Sequence, residues 1–79
     1  MTTKTDRSGQ SYREFPMSDD EQVRVTYIPV AEWAAGPTLR IQKRDKRGRT
    51  MFGPEIPASR VVDLVAALTE LVRENRAEP

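Results

Sequence analysis

Cysteine and histidine are both absent from this 79-residue chain. Without cysteine there is no disulfide framework, and a small domain with no cystine belongs to a reducing compartment more often than to a secreted one. Without either residue a structural zinc site loses its usual ligands, and nucleophilic or general acid–base chemistry loses its usual carriers. Glycine is scarce too, at four residues. Gly36, Gly48 and Gly53 each fit a turn, and no phosphate-cradling glycine loop is present. No apolar run approaches the roughly 18 residues of a membrane span, and the N-terminus lacks the apolar core of a signal peptide. These absences predict a cytoplasmic protein that is not an enzyme, needs no cofactor or metal, and has no membrane partner.

What remains is enough for one small domain. Residues 1–10 hold Thr, Lys, Asp, Arg, Ser, Gly and Gln with no large apolar side chain after Met1. They read as a disordered tail, because they cannot bury enough surface to offset chain entropy. Residues 11–75 read as a single domain and 76–79 as a frayed C-terminus. An ordered body of roughly 50 to 55 residues is marginal as a monomer. With disulfides and zinc excluded, the remaining way to enlarge its core is association, and a homodimer is the expected form.

Within that body, Val23, Val25 and Tyr27 alternate with Arg24, Thr26 and Ile28, the period of a half-buried strand. A weaker alternation over Ser11 to Met17 suggests an earlier edge strand. From Thr38 a further strand sets Leu39, Ile41 and Lys43 on one face and Arg40, Gln42 and Arg44 on the other. Asp45-Lys46-Arg47-Gly48 has the residues of a type I turn followed by glycine, a common hairpin connection with a bulge. Arg49 to Phe52 returns as the next strand, which Gly53-Pro54 is expected to break. From Ser59 to about Glu74, Val61, Leu64, Val65, Leu68, Leu71 and Val72 follow the spacing of an amphipathic helix, with Ser59 as its N-cap. The predicted fold is α+β: a three- or four-stranded antiparallel meander followed by one C-terminal helix packed on one sheet face. Val23, Val25, Tyr27, Leu39 and Ile41 should meet the helix, leaving Arg24, Thr26, Arg40, Gln42 and Arg44 on the open face.

Charge is distributed unevenly along this frame. Six of the thirteen Lys and Arg residues lie between Arg40 and Arg49, in a chain whose net charge is only +1. Such a local positive field suits a polyanion. Arg bonds phosphate bidentately and stacks on π systems, so an open sheet face bearing Arg and amide groups can follow a single-stranded backbone. Trp33 and Phe52 are the candidates to stack on bases, the alternative being a place in the core or, for Trp33, an interface. The residues expected to contact nucleic acid are Arg24, Arg40, Gln42, Lys43, Arg44, Lys46, Arg47, Arg49, Trp33 and Phe52. The acidic run Asp19-Asp20-Glu21 reads as a solvated turn, or as a partner for the basic hairpin of a neighbouring chain.

The stretch from Val23 to Val72 resembles the class of single-stranded DNA-binding proteins that includes PUR-alpha, Whirly and the positive-cofactor-type transcriptional coactivators. The resemblance lies in the basic strand Leu39 to Arg44, the Asp45 to Gly48 hairpin, and Gly53-Pro54-Glu55-Ile56-Pro57 leading to a helix with Leu64, Leu68 and Leu71. It implies a four-stranded sheet and helix that pair as a dimer, with sheet faces gripping single strands, and a role in transcription regulation. It carries over Arg40, Lys43, Arg44 and Arg49 as backbone contacts. Members of the class commonly carry aromatics beside the basic residues, whereas Leu39 to Arg44 has none. The alternative is a protein-interaction module or small regulator, in which the hairpin meets an acidic protein partner or the sheet edge accepts a strand.

Overall fold

The structure, a computed structural model, describes residues 1–76. Strands β1 (Lys4–Thr5), β2 (Ser11–Pro16), β3 (Glu21–Ile28), β4 (Thr38–Asp45) and β5 (Thr50–Pro57) form one antiparallel sheet in chain order. A 3-10 turn (Ala58–Arg60) then leads into α1 (Val61–Glu74). The α+β meander with a C-terminal helix therefore stands, with five strands where three or four were expected. None of the described helices is long and apolar enough to cross a membrane.

The first difference comes from turn chemistry. Residues 1–10, expected to be a disordered tail, contribute β1, where Lys4 pairs with Tyr12 and Thr5 with Ser11. The turn that returns the chain is built on Asp6, whose carboxylate accepts from the Ser8 and Gln10 amides at 2.9 Å each, with Gly9 at φ +83°. The β4–β5 hairpin repeats this design: Asp45 accepts from the Arg47 and Arg49 amides at 2.9 Å each, with Gly48 at φ +81°. Both turns have Asp at the first position and Gly at the fourth, where positive φ is needed.

The second difference lies in β5, which passes through Gly53-Pro54 instead of stopping there. The ladder with β4 absorbs the break as a register shift between Arg40 and Gln42. Gly53 makes this possible, since a Cβ on it would lie 2.6 Å from the Ile41 carbonyl oxygen. Pro54 offers no N–H to a further strand. At the opposite edge β1 is only two residues long.

Register sorts the two faces. Gln22 pairs with Arg44, Arg24 with Gln42 and Thr26 with Arg40, while Val23 pairs with Lys43, Val25 with Ile41 and Tyr27 with Leu39. The apolar row is extended by Phe15 opposite Val23 and by Ile56 opposite Leu39. The predicted division of side chains between the faces is thus realised, but its cover is not. Helix α1 packs against the 3-10 turn and makes no extended contact with any strand. Ser59 lies inside the 3-10 turn, so it does not cap α1, and the N-cap position, Arg60, makes no side-chain capping bond.

Most of the apolar surface therefore stays open. Ile28 and Ala31 are the only buried hydrophobic residues among those described, while Leu68 is 57% and Leu71 59% exposed along α1. The chain exposes 6454 Å², against about 4,900 Å² for a compact monomer of its mass. Its radius of gyration is 14.4 Å, where about 11.6 Å is usual for this length. Helix periodicity makes an apolar stripe but does not say what it packs against, and the short path from Pro57 to Val61 leaves α1 beside the sheet.

The glycine in the β5 bulge gives a direct test. Gly53→Ala forces the Ile41 backbone to shift, and a loss of about 1–3 kcal/mol is expected, read as a lower midpoint in thermal or urea unfolding.

Candidate nucleic-acid interface

On the polar face, β3 and β4 hold a row of long side chains that begins at Arg44 and runs through Gln42 to Arg40, with Arg24 and Thr26 beside it. Thr26 is 3% exposed and forms the floor. Arg24 donates to Glu14 on β2 at 2.9 Å and lies over the Tyr12 ring, 3.9 Å from its centroid. At one end of the face, Ile28 and Thr38 pair and are buried, together with Ala31 from the loop between β3 and β4. That loop brings Trp33 to the face, where its indole N–H donates to the carboxylate of Glu55. The other Glu55 oxygen accepts from Arg40 Nε at 3.1 Å. At the opposite end, a cleft of about 580 Å³ is lined by Glu14, Gln22, Arg24, Arg44, Asp20 and Lys46 among others.

Phe52 pairs with Gln42 across β4–β5 and so shares the polar face, where it is 83% exposed. Trp33 is 59% exposed. The two aromatics singled out from the sequence therefore border the arginine row and are not core residues. An apolar ring left open between Gln42 and the sheet edge gains nothing from its own fold.

The expected cationic residues are only partly brought together. Arg24, Arg40, Gln42 and Arg44 share one face, whereas Lys43 lies on the apolar face opposite Val23, paired with Glu21 at 3.1 Å. Lys46, Arg47 and Arg49 are at the hairpin tip. Acidic groups meet most of these cations: Lys46 pairs with Asp20 at 2.8 Å and Arg49 with Asp45 at 2.9 Å, in addition to the Glu14, Glu21 and Glu55 pairs. The run Asp19 to Glu21 is thus no mere solvated turn. Two of its three carboxylates meet the basic hairpin of the same chain. Among the described residues Arg44 and Arg47 have no carboxylate partner; Arg44 donates to the Gly48 carbonyl at 3.1 Å, and its Nε is buried without a partner.

Sequence reading missed Glu14, Glu55 and Tyr12 as parts of this face. Tyr12 and Glu14 carry a signal, since they alternate along β2 and reach the same face as Arg24. Glu55 lies beyond the Gly53-Pro54 break, where periodicity gives no side. Hydrogen bonding of its carboxylate by Trp33, helped by Arg40 and opposed by partial desolvation, holds Glu55 below the ordinary carboxylate value of 4.5. The Arg49 amide, with the Arg49 side chain and the Arg47 amide, likewise holds Asp45 below its ordinary 3.8 despite some desolvation.

No family model matches the chain, and neither does any curated protein or solved structure.

The Asp45 carboxylate supports the hairpin in its charged form. A depressed pKa contributes stability above the unfolded value that is lost as pH falls through the folded value, so the tip should loosen only below pH 3.8. Protection of the Arg47 and Arg49 amides, taken relative to their intrinsic exchange rates, should fall in that range. In Asp45→Asn this protection should be low already at neutral pH and show no further loss in acid.

Proposed function

We propose that this chain is a small nucleic-acid-binding protein that takes single strands along the polar face of its sheet and works as a homodimer. The observation that carries the reading is the placement of Phe52 and Trp33, both exposed, on the borders of the row Arg40, Gln42 and Arg44. Arginine and amide groups answer the phosphates, and open aromatic rings answer the bases of a strand whose bases are unpaired. The resemblance to the PUR-alpha, Whirly and coactivator class leads to the same reading, with transcription regulation as its setting.

The exposed carboxylates at the hairpin end do not oppose that reading. The Lys46–Asp20 pair is about two-thirds exposed on both sides, and exposed pairs of this kind contribute about 0–1 kcal/mol. A phosphate, with more charge and more acceptor oxygens, can replace such a partner at little net loss. Among the described residues Arg44 and Arg47 have no carboxylate to displace, although Arg44 is tied to the Gly48 carbonyl. Binding is thus sequence-tolerant and electrostatic, with a contribution from stacking.

The homodimer rests on area and on complementary shapes. The chain exposes about 1,600 Å² more than a compact monomer, and the exposed hydrophobics include Phe15, Tyr27 and Met51 of the sheet and Val65, Leu68, Leu71 and Val72 of α1. These are the two surfaces that pack on each other in an α+β domain. An interface burying that much from each copy is within the range of obligate dimers.

Oligonucleotide titrations at several salt concentrations test the first half. The log–log slope should fall by about 0.7 for each phosphate contacted on a single strand, and a slope near zero would rule the reading out. Phe52→Ala should weaken binding by about 1–3 kcal/mol. Replacing Arg40, Arg44 and Arg47 together by Glu should abolish it with helix content unchanged. For the second half, sedimentation should give twice the 9.0 kDa of one chain, and Leu68→Glu, which keeps a good helix former, should give the monomer or an unfolded chain.

A further inference from the structure

Glu55 occupies an unusual position for an acid on a face that takes phosphate. Its two carboxylate oxygens are divided between the two kinds of group such a face needs. One accepts from the Trp33 indole N–H and the other from Arg40 Nε at 3.1 Å. The side chain of Glu55 is 22% exposed, so the carboxylate is tucked in while Trp33 remains largely open. Indole is a donor only, and Nε belongs to one of the two edges with which guanidinium grips an oxyanion. With Glu55 in place, that edge of Arg40 is taken and the indole is tied.

We propose that Glu55 is a built-in competitor of the phosphate, holding Trp33 and Arg40 together until a single strand displaces it. The proposal rests on the nucleic-acid reading above. A phosphate arriving at Arg40 offers the guanidinium a better acceptor and repels the carboxylate beside it. Glu55 then turns away, and Trp33 loses its partner and is free to stack on a base. The loop backbone need not unfold, because Ala31 anchors it against the buried end of the sheet. Discrimination follows: a polyanion without bases, such as heparin, releases the indole but cannot use it.

Trp33 is the only tryptophan in the chain, so its fluorescence reports this site alone. Three variants are compared with the wild-type protein. Glu55→Ala removes both acceptors. Glu55→Gln keeps an acceptor for the indole but removes the charge. Glu32→Ala removes a charge next to Trp33 from a residue that forms no ion pair among those described. Without oligonucleotide, Trp33 anisotropy should fall in Glu55→Ala and stay at the wild-type value in Glu55→Gln and Glu32→Ala. With oligothymidylate at fixed salt, both Glu55 variants should bind about two- to fivefold tighter than Glu32→Ala, the fold-change for losing one weak competing pair. Equal anisotropy in Glu55→Ala and Glu32→Ala, or equal affinity of the Glu55 and Glu32 variants, would overturn the proposal and leave the nucleic-acid reading in place. If neither the wild type nor any variant binds oligothymidylate, that reading falls and the proposal falls with it.

Discussion

Because side chains alternate across a strand, a slip of one residue between β3 and β4 would move Arg40, Gln42 and Arg44 to the face of Val23 and Val25. Everything this chain presents depends on that slip being prevented. The ladder from Glu21–Asp45 to Ile28–Thr38 is held at both ends. At one end the Asp45 turn fixes where β4 stops. At the other, Ile28, Thr38 and Ala31, with Thr26 nearby, make up the buried residues among those described, in a protein too small to secure register with a large core. Lys43–Glu21 adds a cross-strand pair that a slipped register would break.

Electrostatic balance follows from the same geometry. A chain with thirteen cations and twelve acids could have scattered them. Here the acids of β2, of the turn into β3 with the first residue of β3, and of β5 lie opposite the cations of β3, β4 and the hairpin tip. The face is pre-ordered: arginines held by carboxylates lose less side-chain entropy when a ligand takes over than arginines free in water. The basic hairpin is accordingly less a free positive field than a set of groups positioned by weak, exchangeable partners.

Strands β3 and β4 were legible in the sequence down to the side chains on each face, because apolar residues alternate with polar ones over Val23 to Tyr27 and over Leu39 to Gln42. So was the hairpin, from Asp45 and Gly48. The first hairpin was not, although Asp6 and Gly9 repeat the same spacing. The polar residues around them outweighed the turn signal, and β1 is too short to show alternation. Gly53-Pro54 read as a stop because each residue disfavours a strand, yet a bulge accommodates both when the neighbouring backbone comes close. The helix was legible as a helix but not in its packing, since period alone leaves the partner unstated. Phe52 shows the same limit from the other side, as its exposure is set by an edge strand and not by its apolar character.

The two ends of the sheet constrain how copies of this chain can meet. One edge is a strand of two residues, and the other is interrupted by a bulge and by a proline that lacks an amide hydrogen. Neither edge supplies a continuous row of free donors and acceptors, so growth by adding strand to strand is discouraged in both directions. The open apolar surfaces are instead a face and a helix, which a two-fold axis would satisfy in a single step in the proposed homodimer. A chain with this much uncovered apolar surface would ordinarily be a hazard at high concentration. The blunted edges would favour the proposed closed dimer over a fibre.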